Sequence, residues 1–443
     1  MAKYFRTPAW RLWLAIIFSL VSCNTLQVAL ATENVQTIWV ISDVHHFSPT
    51  LFDQGKKFDE MQVEAGGLEL RYSLERLQAL VTQIEQEQPD ALLVTGDLTL
   101  NGELQSMQEL ADAFKTIEQL GTSVFVIPGN HDISNPWASS FIGEDTIRVT
   151  QTLPEDFQTM FADYGYNDAI STDPNSLSYI ANFSEQWQLY MLDSNVYSKT
   201  AGLYAPKSHG LLKPKTLTWL EKEMLMQNSN QKKALVAVHH NSLSHFSSLD
   251  EGNTLDNADA LQNLLSKFKL PVTLSGHIHA QHIAQANVSD NFTLTDIATG
   301  AFGSYPNRIG VITLNPQNFS YHTTQLDMAT WVHSTQQTDP NLLNYDSYSQ
   351  NIMANSSRLA AEQAIIGEHA YSAEEAEAVK ELFSLMNQAV FAGSINKVWP
   401  KLAEDYQALL SDMSTYGNKF FDAYLEDILQ MQKQTHQSLE LSW

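Results

Sequence analysis

Five apolar runs in this chain each end in a cluster of imidazole, carboxylate or carboxamide side chains. That recurrence limits the fold more than any other feature of the sequence. "TIWVIS" is followed by Asp43-Val44-His45, "ALLVTG" by Asp97, and "VFVIPG" by Asn130, His131 and Asp132. "ALVAV" is followed by His239 and His240, and "PVTLSG" by His277-Ile278-His279. Short apolar runs rich in β-branched residues read as strands buried on both faces. "WQLYMLD" and "RIGVITL" read the same way. Helical patterns at Ser73–Gln86, Leu104–Leu120 and Lys215–Met226 lie between strands, which predicts an α/β sheet domain. In open α/β sheets a ligand sits beyond the carboxyl ends of the strands, where all five clusters fall.

The texture changes after about Asp327. "HSTQQTDPNLLNYDSYSQN" is polar and turn-rich, and beyond it the chain reads as helix. Ser372 and Glu375 form a capping-box pattern, and Ala376, Val379, Leu382, Phe383, Met386 and Val390 follow at helical spacing. Gly393 is a helix stop, and further apolar stripes run through Leu402, Tyr406 and Leu409 and then from Phe420 to Ile428. Residues 330–443 are therefore expected to be a helical C-terminal domain. Its aromatics read as core, with substrate gating as the alternative. Residues 32–329 form the expected α/β domain.

Residues 1–31 read as an export signal. Lys3, Arg6 and Arg11 precede "LWLAIIFSLV", an apolar core too short to span a membrane comfortably. "LVSC" resembles a lipobox that would make Cys23 the lipid-bearing first residue, whereas "ALA" at 29–31 resembles an ordinary cleavage site before Thr32. Cys23 is the only cysteine, which favours the lipoprotein and leaves the exported body without disulfides. The expected location is the cell envelope, lipid-anchored outside the cytoplasm, or secreted or periplasmic if cleavage precedes Thr32. The chain carries 25 basic and 50 acidic residues. Such a surface repels polyanions and argues against a nucleic-acid polymer as partner. A small phosphate ester in a metal-lined pocket remains compatible, because bound cations dominate the local field. Nothing in the sequence sets an oligomeric state.

Asp43/His45 and His277/His279 are spaced i, i+2, which in extended chain puts both side chains of a pair on one side. The donors are nitrogen and oxygen only, which fits Mn²⁺, Fe, Zn²⁺ or Co²⁺ and excludes thiolate chemistry. Seven donors exceed one tetrahedral ion and suit two ions if a carboxylate bridges. Two ions about 3.5–4 Å apart can clamp a phosphate and activate a bridging hydroxide for in-line attack. Singly each cluster is weak, since a strand-end Asp usually shapes a turn and a lone His usually packs. The joint pattern carries the reading.

Taken together, "D-x-H … GDLT … GNHD … HH … GHIH" resembles the calcineurin-like metallophosphoesterase superfamily over residues 36–325. The resemblance implies a two-sheet αββα sandwich flanked by helices. It implies Asp43, His45, Asp97 and His279 as ligands of one metal, and Asp97, Asn130, His239 and His277 as ligands of the other, with Asp97 bridging. His131 matches the histidine that protonates the leaving oxygen, a general-acid role suited to imidazole. Spacing does not choose between His239 and His240; the family pattern favours the first. Asn241 stands where many members have Pro, and the second acid and Arg of the protein Ser/Thr phosphatases are missing after "GD". "GDLTLNGE", "GNHDISNPWA", "SHGLL" and the helical tail resemble exported or lipid-anchored cyclic nucleotide phosphodiesterases of Gram-positive bacteria.

The resemblance thus implies a dinuclear metal phosphodiesterase for a small phosphodiester, with a 3′,5′-cyclic nucleotide as substrate. The rivals are a phosphomonoesterase or broad nucleotide or glycerophosphodiester hydrolase, and a non-catalytic exported module that binds metal or phosphate. Around the main set, His46 is a candidate for substrate or ligand support. Asp132 is expected to cap the next helix or else to orient His131. His209, His240 and His245 are candidates for the substrate's surroundings, and His282 reads as a surface or packing residue.

Overall fold

The expected strands pair into two stacked sheets. The computed structural model describes residues 35–227, 232–247, 250–368 and 371–442. The expected export signal and Cys23 lie outside the described residues. One sheet runs in the order Ser438–Ser442, Asn318–Gln325, Arg308–Leu314, Gln36–Ile41, Ala91–Thr95, Ser123–Ile127. Its last three strands are parallel. The other runs His282–Ser289, Phe292–Ala298, Val272–Ser275, Lys233–Val238, Trp187–Leu192, Tyr179–Asn182, Ala169–Thr172. At its centre the strands from Trp187, Lys233, Val272 and Phe292 are parallel. Parallel strands bring their carboxyl ends to one edge, which is why five sequence-distant clusters share one place.

The two sheets meet over Trp39, Leu93, Val126, Leu189, Leu235, Leu274, Ile297 and Ile312, all in one buried cluster. Burying one such side chain contributes about 1.5–3 kcal/mol, so this layer dominates the stability of the strand ends. The helices on the outer faces follow from their apolar stripes. Leu77, Leu80 and Ile84 are the buried stripe of helix Ser73–Glu87, and Met107, Leu110, Phe114 and Ile117 that of Leu104–Gln119. On the second sheet, Leu220 and Met224 from helix Pro214–Gln227 and Leu261 and Leu265 from Ala258–Phe268 close a separate core.

The C-terminal helices pack around their own cluster, which includes Leu382, Phe383, Met386, Trp399, Phe421 and Ile428. Ser372 and Glu375 form the capping box of helix Ala373–Phe391. Gly393, at φ +67, follows the helix end. The Phe391 carbonyl accepts the Gln281 backbone N–H (3.1 Å), and Arg308 donates to the Ala392 carbonyl (2.9 Å), so this helix end is tied to the sandwich.

Two expectations need correction. The chain is not helical to its end: Ser438–Ser442 returns as an edge strand on Asn318–Gln325. Its alternating "SLELS" places Leu439 and Leu441 against the main core, a cross-sheet contact with no local signal. Nor are the i, i+2 pairs extended. The strand ends at Ile41, and Asp43 and His45 have φ of +50 and +44; His277 and His279 have +69 and +57. The pairs converge through left-handed turns rather than through the pleat. Among the described residues, no helix is long and apolar enough to cross a membrane.

Candidate metal centre

Each site residue lies one to four positions beyond a buried strand, held by hydrogen bonds between neighbouring loops. The N–H groups of Asp43 and His45 donate to the carbonyls of Gly96 and Asp97 (both 3.0 Å), extending the parallel pairing past the sheet. The two carboxylates then tie in the other loops. Asp43 accepts the His277 N–H at 3.1 and 3.0 Å, and Asp97 Oδ1 accepts the His131 N–H at 2.8 Å. Asp97 itself lies at φ +50. Five site residues in a region that costs non-glycine residues of order 1–3 kcal/mol each form a strain cluster of the kind found at functional sites. Gly129 is required for a different reason: a Cβ there would lie 2.1 Å from the Asp97 nitrogen. Gly96 combines both reasons, with φ +98 and a Cβ position 2.5 Å from His239 Nδ1.

Asp43, His45, Asp97 and His279 bring one ligand atom each within 4.8 Å of one another, and so do Asp97, His239 and His277. The two groups share Asp97. Its Oδ2 is 3.8 Å from His45 Nε2 and 3.3 Å from His239 Nε2. Asn130 Oδ1 lies 3.0 Å from His239 Nε2 and adds a donor to the second group. Within the first group His45 Nε2 and His279 Nε2 are 3.1 Å apart, and His279 Nε2 is 3.6 Å from Asp43 Oδ1.

The imidazoles are aimed from behind. His239 Nδ1 donates to the Thr95 carbonyl (2.8 Å), which presents Nε2 to the cluster. His277 Nε2 donates to the Gly252 carbonyl (3.0 Å), which leaves Nδ1. His45 Nδ1 is buried without a hydrogen-bond partner. The donor set fits two divalent ions: oxygen and nitrogen donors in two overlapping groups that face one another and share Asp97. The chain has a candidate dinuclear site; the identity of the ions is a separate question.

Electrostatics agree with this. Burial pushes the Asp43 carboxyl up, against the pull of His279 and His239. Burial also opposes ionisation of Asp97, but His239 and His131 outweigh it and hold that carboxyl well below the usual range. His239 is also opposed by burial, yet Asp97 raises it to about 9, whereas burial and His239 push His277 down to about 3. A cation entering between Asp97 and His239 must displace the proton they share, so its affinity falls as pH falls.

His131 stands beside these groups. Its ring is edge-on to His45 with centroids 5.0 Å apart, and its Nδ1 donates to the Leu100 carbonyl at 2.6 Å. Of the His239–His240 pair, only His239 joins a ligand group. His240 is held away by Ser194 Oγ (2.8 Å) and the Ser208 carbonyl (2.9 Å). His46 is fully buried and bonded to Glu109 Oε2 (2.8 Å) and Ser73 Oγ (3.2 Å), outside both groups. His209 pairs with Asp256 (2.7 Å), with both side chains exposed. His245 is buried against His282 (2.8 Å between Nδ1 atoms) and Asp296 (3.4 Å).

Asp132 corrects its expectation. No helix starts there, and its carboxylate accepts the N–H groups of Leu98, Thr99 and Gly129 (3.0, 3.0 and 2.8 Å) and the Thr99 hydroxyl. It binds the Asp97 loop to the Asn130 loop, while His131 is oriented by Leu100 instead. Sequence reasoning also missed a cavity of about 260 Å³ shared by His277, His279, Phe246, Asn387, Phe391 and Tyr424. Phe391 and Tyr424 are among the C-terminal aromatics that read as core, with substrate gating as the alternative, and Asn387 is a polar residue between the positions of the apolar stripe.

A two-sheet fold with these donors at its parallel strand ends defines a hydrolase of the metal-dependent phosphoester class. The comparisons specify it further: residues 36–281 match the family model described as calcineurin-like phosphoesterase, and the chain belongs to that family. Residues 327–435 match a model described as the C-terminal domain of cyclic nucleotide phosphodiesterase. The chain is 26% identical over 251 residues to the 3′,5′-cyclic adenosine monophosphate phosphodiesterase CpdA of Vibrio vulnificus, covering 56% of this chain and 71% of the relative. It is 27% identical over 210 residues to the protein of that name from Escherichia coli K12, covering 47% and 61%. A crystal structure of a dimetal phosphatase from Danio rerio superposes with a TM-score of 0.47 at 13% identity, over 66% of this chain and 96% of that one.

Proposed function

We propose that this protein is an exported dinuclear metallophosphodiesterase acting on a small phosphodiester, with a 3′,5′-cyclic nucleotide as its substrate. The observation that carries the metal reading is Asp97, whose Oδ2 lies between His45 and His239 and belongs to both ligand groups. The choice of a cyclic nucleotide is supported by the names of the relatives and by the C-terminal match.

In this reading Asp43, His45, Asp97 and His279 hold one ion and Asp97, Asn130, His239 and His277 the other. When bound, two such ions supply a nucleophile at neutral pH and offset charge on the phosphoryl oxygens. Mn²⁺ or Fe suits the mixed donors, with Zn²⁺ or Co²⁺ as alternatives. His131 is the general acid. The Leu100 carbonyl requires a proton on Nδ1, so Nε2 is the atom that carries the transferable proton to the leaving oxygen. Asp132 positions the loop that bears His131 by fastening it to the Asp97 loop. Residues 32–329 form the catalytic domain, and the region from 330 on adds helices with their own core and a last strand, Ser438–Ser442, at the edge of the first sheet. Residues 1–31 direct export, with Cys23 lipid-modified as the membrane anchor; the mass of the mature N-terminus separates Cys23 from Thr32 as the first residue.

Mn²⁺-loaded protein tests the proposal against bis(p-nitrophenyl) phosphate and p-nitrophenyl phosphate. The diester should turn over. If neither substrate is cleaved, the enzyme reading fails; if only the monoester is, the diesterase assignment fails. Comparing kcat/KM across cyclic nucleotides, nucleotides and glycerophosphodiesters then tests the substrate.

A further inference from the structure

The cavity beside the metal groups has one wall from the sandwich and one from the C-terminal helices. His277, Ile278, His279 and Ala280 form the first. Asn387, Val390 and Phe391 of helix Ala373–Phe391 and Tyr424 of helix Lys419–Met431 form the second. The geometry points to this cavity as the recognition pocket for the organic group attached to the phosphate, with Asn387, Phe391, Tyr424 and Phe246 setting specificity for a single uncharged planar ring such as a nucleobase. This rests on the phosphodiesterase reading above and assigns that site its substrate specificity.

Four observations carry it. The first is position, since His277 and His279 belong to the ligand groups and also line the cavity. A phosphate held at the strand ends would have its ester substituent within reach of this space. The second is lining. Phe246, Phe391 and Tyr424 surround it with aromatic surface, Ile278, Ala280 and Val390 with aliphatic surface, and among the described residues no Lys or Arg lines it. A second phosphate or a carboxylate would meet no cation there, whereas a flat ring gains stacking and apolar contact.

The third is a fixed polar group. Asn387 Oδ1 accepts the Tyr424 hydroxyl at 2.6 Å, and its Nδ2 donates to Ser357 Oγ at 3.2 Å. A carboxamide so held keeps one N–H and one lone pair for a ligand, a donor–acceptor pair that matches the edge of a heterocycle. The fourth is size and rigidity. About 260 Å³ is below the roughly 300–1,000 Å³ of pockets that enclose whole ligands, so it takes one moiety and not a chain. The wall does not hang free: the Phe391 carbonyl accepts the N–H of Gln281, two residues past His279.

The test uses the full Mn²⁺-loaded chain and a matched pair of diesters: 3′,5′-cyclic AMP and the same cyclic ribose phosphate without its base. Asn387→Ala should raise KM for cyclic AMP about tenfold, one lost hydrogen bond, with kcat little changed. Phe391→Leu, which keeps apolar volume and therefore the fold, should raise it several-fold. Neither variant should change kcat/KM for the base-free diester or metal content, whereas Tm should fall in Asn387→Ala, which strands the Tyr424 hydroxyl. Equal losses on both diesters, or no loss on cyclic AMP, overturn the inference while leaving the phosphodiesterase reading intact. If the unaltered protein cleaves neither diester, that reading and this inference fall together.

Discussion

Two histidine-rich regions of this molecule use the same side chain in opposite ways. At the seam between the second sheet and the C-terminal helices, His282 stacks on His436 at 4.0 Å and shares a 2.8 Å contact with His245. His436 accepts the Ile283 N–H on Nδ1 (3.2 Å) and donates from Nε2 to the Met431 carbonyl (3.0 Å). Burial pushes His282 and His436 below the usual imidazole range, so they pack as neutral rings. At the strand ends each ring is anchored at one nitrogen at most by a backbone carbonyl, and the others face carboxylates or one another. A buried histidine such as His436 is structural where the protein supplies both partners. It is a candidate ligand where the protein withholds one.

Substitutions on both sides can break or sharpen that contrast. Asp97→Ala removes the only carboxylate common to both groups; it should abolish binding of both ions and lower kcat/KM at least about a thousandfold, read by elemental analysis and diester hydrolysis. His131→Ala should retain both ions and lower kcat by about 10²–10⁴ for a poor leaving group, and much less for p-nitrophenolate. Equal losses for good and poor leaving groups would remove His131 from the role of acid.

Glu103 lies in a loop beside the site, fully buried, with Oε1 lacking a hydrogen-bond partner, and burial raises it to about 7. Its folded pKa exceeds the unfolded one, so the native state binds more protons between the two values. Stability should therefore fall as pH rises from about 4.5 to 7, by about 3 kcal/mol, and stay level above. Glu103→Gln should flatten that part of the denaturation-against-pH curve; an unchanged slope would place the dependence elsewhere. The smallest effect belongs to the seam. His436→Ala strands the Ile283 N–H and the Met431 carbonyl, and should cost about 2 kcal/mol in chemical denaturation while leaving metal content unchanged. Loss of metal in that variant would erase the distinction between the two regions.

The donors were legible in sequence because they sit one to three residues beyond apolar runs, so chain order alone displays them. Asp43, His45, Asp97, Asn130, His239, His277 and His279 all meet where the strand pattern put them. What was illegible depends on contacts between distant segments. The left-handed turns at Asp43 and His45 follow from pairing with the Gly96–Leu98 loop, and nothing local in "SDVHH" marks them. Asp132 has the composition of a helix cap, yet its carboxylate is taken by N–H groups of the Asp97 loop. His46 and His240 look equal to their neighbours in sequence; only Glu109 and Ser194, far along the chain, show them to be satisfied. The terminal strand and the Asn387–Tyr424 pair are cases of the same kind.

The claim that joins these observations is that Asp97 makes one catalytic unit of two metal groups. Titrating metal-free protein with Mn²⁺ while following bound metal and hydrolysis of bis(p-nitrophenyl) phosphate tests it most directly. The account predicts two ions bound per chain, with diester cleavage appearing only as the second site fills. Full activity at one ion per chain, or two ions bound with no diester cleaved, would contradict it.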